Sequence, residues 1–543
     1  MEFKRFDETV EAGKFAELVS AEIENGKLNL RISAPYTELK WKYFVIGYLY
    51  KIASDREDYI AEADSVTYNG FEAVLKGSVD IEKFPFKPTN WYVAVAYEED
   101  GQIYAARIIL RPKKIGSGEL LKGGYSYADK KGYLLFTCGT RGGYLGLRYR
   151  EKTEYDSRKT KIKEAIAFSL YNAKAQEYID RKIYLIFEKK CAKAQDNAYY
   201  LFKYCMDNDM ESYLGRSIYY VITHDSPDRK KLEPYKDHVI IFGSIKHMIY
   251  MLASKLLISS DAKAHGYIYQ YDRSIIGQRM PNKSLVFLGH GVLALKRLND
   301  SFLASRMNAI LTTVTSEMEA DIVVNELGFK KHEAVVTGYA RFDALQDQSS
   351  EHREILIMPT HRSWLFGVDR ETFTASEYYR RYMELLNSPE LGRMLEENDL
   401  TANFYLHPSI MEHFDAFSTD IPRVKMIPYG QYSLDDLMMR CSLLVSDYSS
   451  VCWDLYYMGK PTVFYQYDVQ EYLDTWGSYI DLEKDTPGNR ADSLEQLLGY
   501  IRESIDNGFK LDEYWQSRRE STYKFTDKNN CRRICEVLKE RNL

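Results

Sequence analysis

The chain has 543 residues, too many for one ordinary core, so two or three domains are expected. Hydrophobic residues make up 45% and charged residues 28%, the balance of a globular protein, and a formal net charge of -6 excludes wholesale nucleic-acid binding. No apolar run reaches the roughly 18 residues of a membrane span; Ile245 to Ile258 is interrupted by Lys246, His247 and Lys255.

The N-terminal stretch MEFKRFDETVEAGKF lacks an apolar signal core, so a cytoplasmic location is expected. Seven scattered cysteines form no CxxC pair and are expected as reduced thiols. Nothing has metal-ligand spacing, so neither a protein-bound metal nor a cofactor is expected.

Residues 1–145 carry short alternating or aromatic-rich runs: Leu28–Ile32, Trp91–Val95, Ala106–Leu110 and Tyr133–Phe136. Turn signals separate them, at Asn69-Gly70, Asp100-Gly101 and Lys131-Gly132. This pattern predicts an antiparallel β domain, sandwich-like. Residues 146–181 follow as a basic linker, strongest over Leu147 to Lys163, running into a helix from Lys163 to Tyr178. A solvated linker is the favoured reading of this charge, and attraction to an anionic membrane surface is the sharper one.

From Lys182 the pattern becomes strand, loop, helix, repeated. Predicted strands are Ile183–Phe187, Ile218–Ile222, Val239–Phe242, Leu256–Ser259, Leu285–Leu288 and Ile310–Thr313, with a helix over Ala192–Met206. A second series starts near Val335, with strands Ile355–Met358, Phe404–Leu406, Leu443–Val445 and Val463–Tyr465. Two α/β units are predicted, 182–340 and 341–543, each with a parallel sheet and facing a cleft. Ligands of such sheets sit beyond the carboxyl ends of the strands, so the residues after each strand carry the functional argument.

Leu285–Leu288 ends in Gly289-His290-Gly291, where His290 reads either as a general base or as a helix cap. Ile355–Met358 ends in Pro359-Thr360-His361-Arg362, in which Arg362 offers a fork for phosphate and Thr360 a cap or phosphate contact. Phe404–Leu406 ends in His407-Pro408. Leu443–Val445 ends in Ser446-Asp447-Tyr448-Ser449-Ser450, where Ser449 and Ser450 read as an anion cradle or as a cap with a spare serine. Asp447 would repel an anion and is assigned to ribose, cap or supporting work. Val463–Tyr465 leads into Tyr467-Asp468-Val469-Gln470-Glu471-Tyr472, acidic and aromatic groups that read as donor contacts or a solvated helix start. No P-loop and no GxGxxG opens a strand-helix unit, which counts against an NTPase and a classical NAD enzyme. Taken singly these motifs are weak. Four polar turns after four apolar strands, in order, describe an enzyme acting on a phosphorylated, nucleotide-activated substrate.

The order GHG (289–291), PTHR (359–362), LHP (406–408) and SDYSSVCWD (446–454) resembles the CDP-glycerol glycerophosphotransferase family of teichoic-acid and capsule polymerases. VVTGYARFDAL (335–345) and KPTVFYQYDVQEY (460–472) add to the resemblance, which covers residues 182–480. It implies a GT-B-like pair of Rossmann-like domains, acceptor side first and CDP-donor side second. It also implies transfer of glycerol phosphate or ribitol phosphate from a CDP-activated donor to a hydroxyl of a cell-wall or capsular acceptor, releasing CMP. His290 would be the general base. His407, Thr360, Arg362, Ser449, Ser450 and Asp447 would serve the pyrophosphate, and Asp468 and Glu471 the donor hydroxyls. The partners so implied are the CDP-activated donor, a glycan or lipid-linked acceptor and an anionic membrane surface, giving a peripheral position on the inner face of the cell membrane. GHGVLALKR departs from the family's usual continuation, with Lys296 displaced. The competing reading is a GT-B glycosyltransferase with a nucleotide-sugar donor.

Overall fold

The computed structural model describes residues 1–6, 9–48, 58–109, 126–128, 132–139, 144–267, 274–298 and 302–543. Leu110 and Lys131, part of the expected strand and turn, lie outside them. The chain divides into two compact units, Met1–Lys161 and Ile162–Leu543.

In the first unit the described strands run from β1 (Lys4–Phe6) to β12 (Leu145–Glu151). They join in one hydrogen-bonded sheet, antiparallel apart from the pairing of β2 (Val10–Glu24) with β9 (Gln102–Ile109). The sheet folds over so that its two wings share a core. Leu30, Ile32 and Leu75 of one wing pack with Phe44, Trp91, Val95 and Leu147 of the other. A Cβ on Gly77 would lie 2.7 Å from the Phe44 ring, so the wings meet closely there. The expected basic linker is corrected at its start. Leu145–Glu151 is a strand paired with two neighbours, and Leu147 and Tyr149 are buried, because their alternation with the half-buried Arg148 and Arg150 is that of a strand with one face on the core. The helix begins earlier than predicted, at Arg158, and breaks at Lys174 into Arg158–Ala173 and Ala175–Asp180.

The second unit holds two fully parallel sheets. The first has the order β15-β14-β13-β16-β17-β18-β19. Its strands are β13 (Tyr184–Phe187), β14 (Ile218–Ile222), β15 (Val239–Ile241), β16 (Leu256–Ser259), β17 (Ser284–Phe287), β18 (Ala309–Val314) and β19 (Ala334–Val336). The second has the order β22-β21-β20-β23-β24-β25. Here the strands are β20 (Glu354–Ile357), β21 (Thr401–Tyr405), β22 (Val424–Ile427), β23 (Cys441–Ser446), β24 (Thr462–Tyr465) and β25 (Asn489–Ala491). Both follow the doubly wound rule, with switch points between β13 and β16 and between β20 and β23. Most strands are buried on both faces, which is why they read as continuous apolar runs.

Two segments cross between the halves. Val335 closes the first sheet beside β18 instead of starting the second series. The helix Asn530–Glu540, expected in the second half, inserts Cys531, Ile534, Cys535 and Leu538 into the core of the first. Among the described residues six cysteines are free, and all six are buried.

Candidate active site

Gly289 turns the chain after β17 with φ +68°, a left-handed conformation that suits glycine. His290 is thereby presented with its side chain 40% exposed. Its Nε2 lies 2.7 Å from Asp261 Oδ1 and its Nδ1 3.2 Å from Asp196 Oδ2. Asp196 sits at the N-cap of the helix Asn197–Asp207 and accepts the Asn197 N–H. Asp261 lies just beyond β16 and also faces His265. Burial opposes the imidazolium, but hydrogen bonds and charge from Asp196 and Asp261 outweigh it and raise His290 to about 10. Burial likewise opposes both carboxylates. Lys189 and His290 hold Asp196 below its ordinary range, and His265 and His290 do the same for Asp261. His290 is therefore an imidazolium gripped by two carboxylates, and a base only once one grip is released. Asp261 Oδ2 is buried without a hydrogen-bond partner.

Arg341 ties this centre to the second half. Its Nε and Nη2 donate to Asp454 at 2.6 and 2.9 Å, and its Nη1 donates to Asp196 at 3.2 Å and to the His290 carbonyl at 2.8 Å. Tyr339, two residues earlier, donates to the Gly291 carbonyl and to buried Glu319. Asp343, two residues later, accepts from the Asn530 and Cys531 amides and so caps the returning helix. The block 335–345 is thus the brace between the halves.

The turn after β23 closes onto the turn after β17. A Cβ on Gly291 would lie 2.7 Å from Ser450 Oγ, so only glycine lets the two turns approach this closely. Ser450 is exposed and makes no side-chain cap to the helix Val451–Tyr457. Its hydroxyl faces a pocket of about 90 Å³ whose lining includes Lys189, Asp196, His290, Arg341, Asp435 and Asp454. Ser449 is buried, and its hydroxyl oxygen accepts from the Val451 amide.

Arg362 corrects the expectation most sharply. Its side chain has no exposure. Nε and Nη2 donate to Asp468 at 2.7 and 3.1 Å, and Nη1 donates to Asp447 at 2.8 Å and to Thr360 Oγ1 at 3.0 Å. Asp447 also accepts from the Thr360 amide and hydroxyl and from the Tyr448 amide. Arg362, Thr360, Asp447 and Asp468 therefore lock together the turns after β20, β23 and β24. A guanidinium spent on two carboxylates is not a free fork for pyrophosphate, nor is Asp468 free for donor hydroxyls. Glu471 stays exposed on the helix Val469–Thr475, its carboxyl raised by burial and by Asp468. His407 caps the turn Pro408–Ala416, its Nδ1 accepting from the Ser409 amide.

The sequence reading missed Asp196, Asp261, Arg341 and Asp454. Asp261 follows β16 as His290 follows β17, so the strand-end rule reaches it. Arg341 and Asp454 lie inside the quoted blocks, where only the pairing across 113 positions shows their use. Asp196 carries the signal of an ordinary helix cap.

Residues 169–540 match the family described as CDP-Glycerol:Poly(glycerophosphate) glycerophosphotransferase. The minor teichoic acid biosynthesis protein GgaB of Bacillus subtilis is 26% identical over 409 residues, 73% of this chain and 44% of that protein. The teichoic acid glycerol-phosphate primase of the same organism is 27% identical over 201 residues, 35% of this chain and 48% of that protein. Each match therefore spans less than half of the relative's length. A solved structure of the wall teichoic acid polymerase TagF superposes with TM-score 0.50 at 14% identity, over 70% of this chain and 93% of that one, and shows the shared fold. With more than half of its length matched, the chain belongs to the CDP-glycerol:poly(glycerophosphate) glycerophosphotransferase family.

Proposed function

We propose that this chain transfers an alditol phosphate, glycerol phosphate or ribitol phosphate, from a CDP-activated donor to a hydroxyl of a teichoic-acid-type polymer. The observation that carries the reading is the meeting of the His290 turn with Ser450 across Arg341, within a family of glycerophosphotransferases. The acceptor oxygen attacks the phosphorus that bears the alditol, the bond to the CMP phosphate oxygen breaks, and CMP leaves. Asp196, fixed by Arg341 and its own helix, keeps Nδ1 of His290 protonated and oriented. Departure of Asp261 from Nε2 lets the ring give its Nε2 proton to solvent, and the neutral nitrogen, now facing the acceptor hydroxyl, takes the hydroxyl proton. Ser450 and Lys189 line the same pocket and supply a hydroxyl and a cation for the phosphate oxygens.

The test is CMP release with CDP-glycerol or CDP-ribitol and a matching polymer. Turnover that collapses in His290→Ala is the expected result. A nucleoside diphosphate as product would instead mark a sugar transferase.

Attachment to an anionic membrane surface belongs to the same reading. Ile162, Ile166 and Leu170 are exposed at helical spacing on Arg158–Ala173, beside exposed Lys159 and Lys161. An apolar stripe flanked by cations suits a headgroup layer. No described helix is long and apolar enough to cross a membrane.

A further inference from the structure

The first unit, Met1–Lys161, lies outside the family match, which begins at residue 169, and the transfer chemistry uses none of its side chains. Its sheet nevertheless carries a cavity of about 370 Å³ across β2, β3 (Lys27–Ala34), β7 (Ala73–Asp80) and the start of β6 (Ser65–Tyr68). Strand alternation fixes which side chains meet there. Ala21, Leu30 and Leu75 turn into the core, so Ser20, Arg31 and Lys76 turn out of it. The register then places Ser20 opposite Arg31, Arg31 opposite Lys76 and Lys76 opposite Ser65. Glu22, Asn29 and Ser78 form the next row on the same face. Both rows line the cavity.

Arg31 opposite Lys76 breaks the charge pattern of this sheet. Facing side chains of neighbouring antiparallel strands stand about 5 Å apart, and like charges there repel. Farther along the same strands Glu24 faces Lys27 and Lys27 faces Asp80, so the sign alternates. Elsewhere on the sheet Lys42 meets Glu62 at 2.7 Å and Arg107 meets Glu11 at 3.7 Å. Arg31 and Lys76 are both exposed, and among the described residues neither has an ion pair or a hydrogen bond. Asp64, which also lines the cavity, faces the Met1 ammonium at 3.6 Å instead. Two adjacent cations suit the oxygens of one phosphate. The carboxylate, amide and hydroxyl of the next row suit hydroxyl groups. Rows on one face repeat every two residues, about 7 Å, so phosphate and hydroxyl contacts follow one another at that spacing. Among the described residues that line the cavity none is aromatic, so it offers no ring on which a neutral sugar would stack.

We propose that this face of the N-terminal β unit binds a phosphodiester-linked polyol chain, the long acceptor, with Arg31 and Lys76 on a phosphate and Glu22, Asn29 and Ser78 on the hydroxyls beside it. The proposal rests on the transfer reading above for its choice of polymer. A bound anion between the two cations turns their repulsion into attraction. Holding the polymer on the same chain as the catalytic centre raises the effective concentration of its end, so long acceptors are used better than short ones.

Binding of a long, labelled glycerol-phosphate oligomer to the full chain, without donor, tests this in the wild type and in two variants. Arg31→Thr with Lys76→Thr keeps good strand residues and removes both charges. The expected result is a fall of about tenfold in oligomer affinity and a weaker dependence on salt. Lys76→Glu replaces a repelling pair by an attracting one, so its unfolding midpoint should rise while oligomer binding falls. Weaker binding by a more stable protein cannot come from lost structure. In turnover, the ratio of kcat/KM for the long oligomer to that for a single-unit acceptor should drop by the same factor in both variants. Oligomer affinity that neither variant changes overturns the proposal, and the cations then serve only the solubility of the sheet. Lost binding to phosphatidylglycerol vesicles with unchanged binding of the oligomer also overturns it, in favour of a membrane. Oligomer binding insensitive to both variants in a chain that releases CMP defeats the proposal and spares the transfer reading. Oligomer binding lost in both variants of a chain that releases no CMP from either CDP-alditol keeps the face and defeats the transfer reading.

Discussion

Two sites in the second unit share one chemical plan, a cation held by two carboxylates at strand ends, and differ in burial. Arg362 between Asp447 and Asp468 has no exposed surface, whereas His290 between Asp196 and Asp261 is 40% exposed. The enclosed cation locks three turns together and can do nothing else. The open one retains access to a ligand and can exchange a carboxylate for a substrate hydroxyl. Charge pattern alone does not separate scaffold from chemistry; solvent access does.

The largest effect expected from breaking this contrast is in Arg362→Met. It leaves Asp447 and Asp468 buried without a counter-charge, at a cost of about 3–5 kcal/mol, and denaturant unfolding measures it. His290→Asn should reverse the balance. CMP release falls by about 10²–10⁴-fold, as for loss of a general base, while the loss of stability is smaller than in Arg362→Met because solvent screens the partly exposed pair. Its pH dependence sharpens the point. His290 is raised to about 10, so its ion-pair contribution is complete below the ordinary histidine value of about 6.5 and fades as pH climbs through the folded value. Asp196 and Asp261 are lowered, so their share is present above ordinary carboxylate values and lost in acid. The stability difference between wild type and His290→Asn should therefore hold between these limits and vanish in alkali. The smallest effect is expected from Ser450→Ala, a loss of about tenfold in turnover with stability unchanged, since its hydroxyl bonds nothing in the helix it precedes.

The sheets were legible because buried parallel strands are written as apolar runs. All ten predicted α/β strands appear, nine of them within two residues of their expected bounds and Phe404–Leu406 as the longer Thr401–Tyr405. The three left unassigned, β19, β22 and β25, are short, and two of them carry polar residues, as in Val424-Lys425-Met426-Ile427 and Asn489-Arg490-Ala491. The turns after the strands were also legible as positions. Their division of labour was not, because it depends on pairings distant in sequence. Asp447, hardest to place from sequence, is the acceptor for Thr360, Tyr448 and Arg362 together. Ser449 and Ser450 are adjacent and chemically identical, yet one is buried under the Val451 amide and the other faces Gly291.

The return of Asn530–Glu540 to the first sheet also sets an order of assembly. The core around Tyr184, Ile186 and Phe202 includes Ile534 and Leu538, more than 300 positions later. On the ribosome, the first α/β half must wait for nearly all of the second to be made before its core is complete. Neither half is then an independent folding unit, and the chain must hold an unfinished apolar surface until the last helix arrives, which makes this half the natural client for chaperones.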